Sequence, residues 1–441
     1  MTTGRARKHL SIAPAPAPED AWRGDLVISK AGECRATPHN ISLVLDNDPE
    51  MTGLFRLDEF AGRIVLSRDP PWSGGVSREF TEQDAFELAA WLGRPDTYSM
   101  ACKAAQVAEA VEAVARRHRF HAVRDYLDSL EHDGEERIAR LFTTYFGAEH
   151  CDYLEGVAAV FMLGAVARIY EPGCKVDHML VLEGKQGGGK TSAVRALFGG
   201  DEWYVDAQRS PADKDFYQDI VGKWVAEIGE MTSFSKADYN KVKQTLSAQA
   251  DTYRPSYGRY SRTFKRQCIF VGTTNEDAWQ RDPTGGRRYL PVRVSAVDVV
   301  AVTRDRDQLW AEAVMRYQRG DSWWNAPANA EDEQDDRYCD DPWAEAVVRW
   351  ILGHAKDRDY DAIDMRARDG EGRVIECSVA EVLANALHLE VEKHDLRPQQ
   401  RVGVIMSRLG WKKYRRDRGK DIKVGRVWYW YAPSDWRWPN A

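Results

Sequence analysis

HMLVLEGKQGGGKTSAVRALF, residues 178–198, passes from an apolar run through a glycine-rich turn into a helical pattern. The turn is Gly184-Lys185-Gln186-Gly187-Gly188-Gly189-Lys190-Thr191, a full match to GxxxxGKT. The apolar run predicts a strand over His178–Glu183, and the residues from about Thr191 predict a helix, the context this motif needs. Glycines at these places let the backbone wrap a phosphate, with amide N–H groups directed inward beside a helix N-terminus. In that reading Gly184, Gly187, Gly188, Gly189, Lys190, Thr191 and Ser192 contact the nucleotide. Lys190 reaches the β- and γ-phosphates, and the Thr191 hydroxyl ligates magnesium. The implied fold class is α/β, with a P-loop core, and the implied ligands are ATP and Mg2+.

Downstream stretches supply the other parts of such a site. Residues 224–230, WVAEIGE, read as a buried strand ending in two carboxylates, Glu227 and Glu230. One acid is needed to hold magnesium and one to polarise the attacking water. Glu227 is the candidate for the metal beside Thr191, and which acid activates water stays open. Residues 268–275, CIFVGTTN, form a strand pattern whose polar end presents Thr274 and Asn275 as γ-phosphate sensors. Twelve residues beyond Asn275, the glycine-flexed pair Arg287-Arg288 fits an arginine finger, with the choice between them open. A finger supplied in trans requires a neighbouring subunit.

Between acidic strand and sensor lies TYRPSYGRYSRTFKRQ, residues 252–267. Arg254, Arg259, Arg262, Lys265 and Arg266 stand there without an acid, interleaved with Tyr253, Tyr257 and Tyr260. Basic and aromatic residues together suit single-stranded nucleic acid through phosphate contacts and base stacking. Pro255 and Gly258 place the tip of a hairpin.

This ordered set resembles the virulence-associated E family, ATPase modules of phage and genomic-island replication proteins related to superfamily III helicases. The resemblance rests on GKQGGGKT, KWVAEIGEM, TYRPSYGR, VGTTN, and DPTGGRRYLPV followed by RDQLWAEA, and covers roughly residues 120–324. It implies a ring-forming, DNA-translocating ATPase, a homo-oligomer and in the usual case a hexamer, acting in replication of a mobile element. Two departures stand out. Many superfamily III members carry two adjacent acids, whereas Ile228-Gly229 separates Glu227 from Glu230 here. Relatives often carry an N-terminal primase domain, but no acidic polymerase-type triad is visible in the first 150 residues.

The flanks read as separate parts. Residues 1–38 form an Ala/Pro-rich, extended tail, and 39–149 a mainly helical domain, in which Val107, Ala110, Val111 and Val114 share a helix face. The ATPase core spans 150–325, and the turn-rich acidic segment 326–340 links it to a C-terminal domain, 341–441. There, two helical patterns, VAEVLANAL and PQQRVGVIMSRLG, precede a basic turn and the aromatic strand VWYWY, the order of a winged helix. Lys412, Lys413, Arg415 and Arg416 open a stretch of eight basic residues against two acids, a candidate duplex-binding wing. The rival for this domain is a protein-docking surface.

Composition narrows the class. Hydrophobic residues are 43% and charged residues 30% of the 441, values of an ordinary globular protein. The net charge of −7 excludes a uniformly basic nucleic-acid coat and leaves local patches. Seven scattered cysteines without a CxxC pair fit reduced thiols in a cytoplasm and speak against zinc. No apolar run reaches the roughly 20 residues of a membrane span. Two rival functions remain: a nucleotide-gated origin-binding protein without unwinding, and an antiphage-defence ATPase switch.

Overall fold

The computed structural model describes residues 18–72, 78–211, 213, 215–229, 236–253, 262–280, 286–337, 341–354, 368–416, 427–434 and 436. Two compact units emerge, one of residues 1–275 with 288–330, the other of 276–287 with 331–441.

The first unit opens with a 3-10 turn over Pro18–Asp25 and helix α1, Pro38–Asn47, started by Thr37, whose hydroxyl accepts the Asn40 N–H. Strands β1 (Phe55–Asp58), β2 (Arg63–Leu66) and β3 (Arg78–Glu79) precede helices α2 (Glu82–Gly93) and α3 (Ala104–Ala115). Strand β4, Arg119–Phe120, completes a small sheet ordered β3-β2-β1-β4. Val107, Ala110, Val111 and Val114 are buried on α3 as their spacing predicts. Trp22, Leu26 and Cys34 pack against this same core, so the expected tail is structured from residue 18 onward.

A second core takes in Phe60 and then runs from Val123, upstream of the expected boundary at 149. Helices α4 (Ala122–Asp128), α5 (Leu141–Phe146) and α6 (Asp152–Tyr170) lead into strand β5 (Met179–Glu183) and helix α7 (Lys190–Leu197). Strand β6 (Tyr204–Asp206), helix α8 (Phe216–Asp219), strand β7 (Val225–Ile228) and helix α9 (Lys236–Ser247) follow. A two-stranded antiparallel hairpin, β8 (Ala250–Tyr253) with β9 (Arg262–Lys265), precedes β10 (Ile269–Thr274), β11 (Tyr289–Arg293) and α10 (Val299–Gln318).

The main sheet is five-stranded and wholly parallel, ordered β11-β5-β10-β7-β6. Its central strands are buried along their whole length, as the unbroken apolar runs MLVL and IFVG require of strands covered on both faces. The chain leaves β5 for the far edge, returns through β7 and β10, and only then fills the other side with β11. Neighbouring crossovers therefore diverge around β5, and the crevice at its carboxyl end is the natural ligand position. Trp224 and Trp310 pack with ring centroids 4.2 Å apart, and each indole N–H is satisfied, by Ala165 O and Leu197 O.

Helix α6 corrects one expectation. By length and composition it is apolar enough to cross a bilayer, yet 78% of its apolar window is buried inside the unit. Such all-round apolarity is that of a core helix.

The second unit contains α11 (Ala330–Asp335), which lies within the expected acidic linker, and α12 (Pro342–Ile351). Strand β12 (Glu376–Ser378) leads to α13 (Val379–Glu381), which continues into a π turn over Val382–Ala386. Helix α14 (Leu396–Arg408) and strands β13 (Lys412–Arg416) and β14 (Val427–Tyr431) close the chain, with an antiparallel sheet ordered β12-β14-β13. Val402, Ile405 and Met406 of α14 face a core shared with Trp350, Trp411 and Trp430.

Candidate active site

The glycine turn joins β5 to α7 at the carboxyl edge of the parallel sheet. Gly184 leaves β5 so close to β11 that an added Cβ would lie 2.6 Å from Val294 O. Gly187 and Gly189 hold φ of +75° and +84°, the left-handed region that other residues avoid, and Gly189 is the N-cap of α7. The Gly184 N–H bonds the carbonyl of Thr274, which ties the start of the turn to the end of β10.

Lys190 is buried, and its ammonium donates to Gly184 O at 2.5 Å and Lys185 O at 3.0 Å. The side chain thus folds back across the turn that α7 presents. Burial lowers its basicity while the Glu227 carboxylate opposes the shift. Thr191, exposed in the first turn of α7, donates its hydroxyl to Glu227 Oε1 at 2.7 Å. Ser192 is exposed beside it.

Glu227 is only 3% exposed, an unusual place for an unpaired carboxylate, and hydroxyl donors surround it. Thr273 Oγ1 donates to Oε1 at 2.9 Å, and the Tyr204 phenol donates to Oε2 at 2.9 Å. Register explains the convergence. Tyr204 pairs with Val225 and Val271 with Glu227, so alternate residues of β6, β7 and β10 share one face of the sheet. Burial first, and the carboxylate second, push the Tyr204 phenol above its ordinary range and keep it a donor. Tyr204 and Thr273 are not foreseen from the sequence. Only the strand pairing brings them to Glu227, and a single sequence does not contain that pairing.

The remaining candidates fall in several places. Asn275 is exposed one residue past β10, and the period of two puts it on the side of Thr273. Arg288 precedes β11 and donates from Nε to Ser247 Oγ at 3.3 Å. Strands β11 and β5 run parallel, with Tyr289 beside Met179 and Arg293 beside Glu183. Arg288 is therefore at the amino end of the sheet, a strand length of about 16 Å from the turn at the carboxyl end. Arg287 is exposed. Glu230, Arg254 and Arg259 lie outside the described residues, as do the side chains of Arg262, Arg415 and Arg416.

The antiparallel pairing of β8 with β9 ends at Tyr253 beside Arg262, which frames the basic segment as a hairpin. Lys265 is exposed on β9. Arg266 requires a correction. Grouped with the DNA-binding residues by sequence, it is 2% exposed, donates from Nε to Asp251 Oδ2 at 2.8 Å, and also bonds Asp251 Oδ1 and Thr245 O. Asp251 supplies a carboxylate across the hairpin that the run of residues around Arg266 does not reveal. A buried pair of this kind is costly to break on one side. Arg266→Ala is expected to lower unfolding stability by about 3–5 kcal/mol in a denaturant titration. A change confined to DNA affinity, with stability unaltered, would restore Arg266 to the DNA surface.

In the second unit Lys412 and Lys413 are exposed on β13, and the Lys413 ammonium lies 5.3 Å from the Trp428 ring centre. Arg401 of α14 is bound at both oxygens of Asp341 and stacks on Trp343 at 3.8 Å, which commits it to its own unit.

Solved structures that match the chain include two of the C-terminal region of NrS-1 in the apo state. One, of residues 305–718, is 12% identical, with a TM-score of 0.42 over 68% of this chain and 76% of that one. The other, an A form, is 11% identical, with a TM-score of 0.45 over 86% of this chain and 96% of that one. Among curated proteins none matches the chain. The virulence-associated protein E-like domain matches residues 127–355, more than half of the chain and the span that holds the glycine turn, Glu227 and the hairpin. The chain belongs to the virulence-associated protein E-like family.

Proposed function

We propose that the chain is an ATP-hydrolysing, DNA-translocating helicase-like protein that serves replication of a phage or mobile genetic element. The observation that carries this reading is the convergence of Lys190, Thr191 and Glu227 at the carboxyl end of a parallel sheet. These are groups that a P-loop ATPase core uses, and their convergence supports the reading. Lys190 would exchange its loop carbonyls for the β- and γ-phosphates of ATP. Thr191 Oγ1 and Glu227 Oε1 are hard oxygen donors 2.7 Å apart, a pair suited to magnesium. When bound, that ion neutralises charge on the bridging and terminal phosphates. Glu227, already engaged by three hydroxyls, is better placed to hold the metal side than to swing toward water, which leaves water activation to Glu230.

DNA contacts are assigned to two surfaces. The hairpin β8–β9 supports a single-strand grip, with Arg254, Arg259, Arg262 and Lys265 as its basic residues. In the second unit, the order α12, β12, α13, α14, β13, β14 and the sheet order β12-β14-β13 support a winged helix. Because Arg401 is internally paired, duplex binding there rests on Lys412, Lys413, Arg415 and Arg416 of the β13 strand. The remote position of Arg288 from its own glycine turn supports an arginine supplied in trans, and with it a homo-oligomeric ring, a hexamer by family resemblance.

The test is ATP hydrolysis with and without single-stranded DNA, alongside salt titrations of binding. Neutralising Arg259 and Lys265 should abolish stimulation by single strands and leave basal hydrolysis in place. Neutralising Lys412 and Lys413 should weaken duplex binding, and each lost phosphate contact should flatten the salt slope by about 0.9. Unchanged stimulation in the first variant would remove the hairpin from the DNA path. Unchanged duplex affinity in the second would make the C-terminal unit a protein-docking module.

A further inference from the structure

We propose that Tyr204 is a positioning residue that fixes the rotamer of Glu227 for magnesium; this rests on the ATPase reading of the site. Glu227 accepts from Thr191 and Thr273 at Oε1 and from Tyr204 at Oε2. The first two donors leave the second oxygen unconstrained, and Thr191 itself must turn toward the metal when nucleotide binds. Among the described residues Tyr204 alone holds Oε2, and its hold does not depend on the glycine turn.

Its own placement is set by packing. Tyr204 is 4% exposed, enters from the edge strand β6, and has its ring covered by the Arg195 guanidinium at 5.3 Å. Arg195 belongs to α7, the helix that begins with Lys190, and is ion-paired with Asp201 at 2.8 Å. Tyr204 therefore spans the helix that follows the glycine turn and the carboxylate on β7. Partners of a metal-directed carboxylate that orient it from behind commonly govern metal affinity by about 10–100-fold.

Tyr204→Phe keeps the ring, its packing and the Arg195 contact, and removes only the hydroxyl. The experiment titrates a fluorescent ATP analogue into the full chain, once in excess EDTA and once across a magnesium series. Tyr204→Phe should bind the analogue in EDTA like the parent and need about tenfold more magnesium for half of the metal-dependent gain. The thermal midpoint falls modestly, because Glu227 Oε2 loses its buried donor, and the variant stays folded at the assay temperature. A magnesium midpoint equal to the parent's overturns the role of Tyr204 and leaves the ATPase reading intact. A parallel loss in EDTA and in magnesium makes Tyr204 structural and also overturns the proposal. A parent chain whose analogue binding ignores magnesium overturns the ATPase reading itself.

Discussion

Replacing Lys190 by alanine should lower ATP turnover by about 10²–10³-fold, the usual loss when one donor to developing transition-state charge is removed. The fold should survive the change. Lys190 bonds Gly184 O and Lys185 O, two carbonyls of a turn that is partly exposed, and Glu227 keeps its three hydroxyl donors when Lys190 is lost. Steady-state hydrolysis and the thermal midpoint are measured on the same preparation. A folded variant that hydrolyses at the parental rate would show that Gly184–Thr191 is not the phosphate site.

The second large effect is in the arginine pair. Loss of an arginine finger costs about 10³–10⁵ in turnover where one operates. Arg288 stands at the amino end of β11, a whole strand away from the glycine turn of its own chain, so a finger role for it would require the turn of a neighbour. Substituting both Arg287 and Arg288 by alanine should abolish hydrolysis. Mixing that variant with Lys190→Ala subunits should restore part of it, because one interface in the mixture pairs an intact turn with an intact finger. Mixed oligomers that form and stay inactive would assign these arginines a structural role.

Much of this site is legible in the amino-acid sequence, for reasons of local chemistry. Gly184–Thr191 announces itself because positive φ and close backbone approach admit little but glycine, and because strand and helix flank it in sequence. Glu227 is legible as the acid at the end of an apolar run. What stays hidden depends on long-range pairing. Tyr204 reaches Glu227 only because β6 lies beside β7 in one register, and Thr273 only because β10 lies on the other side. Arg266 misleads as part of a basic run because Asp251, across the hairpin, is fifteen positions earlier and is revealed by pairing alone. The apolar helix Asp152–Tyr170 has the composition of a membrane span, and only its burial identifies it as core. Likewise, the core that takes in Phe60 and runs on from Val123 reaches back past the boundary drawn from composition, since α4 and α5 pack with α6 and α10.

The coupling of hydrolysis to movement on DNA is the central claim, and strand displacement on a forked duplex tests it most directly. With ATP and magnesium the chain should separate the labelled strand with one polarity, and the Lys190→Ala chain should not. Hydrolysis that proceeds without displacement and without stimulation by DNA would contradict this account, and would instead mark the protein as a nucleotide-gated switch.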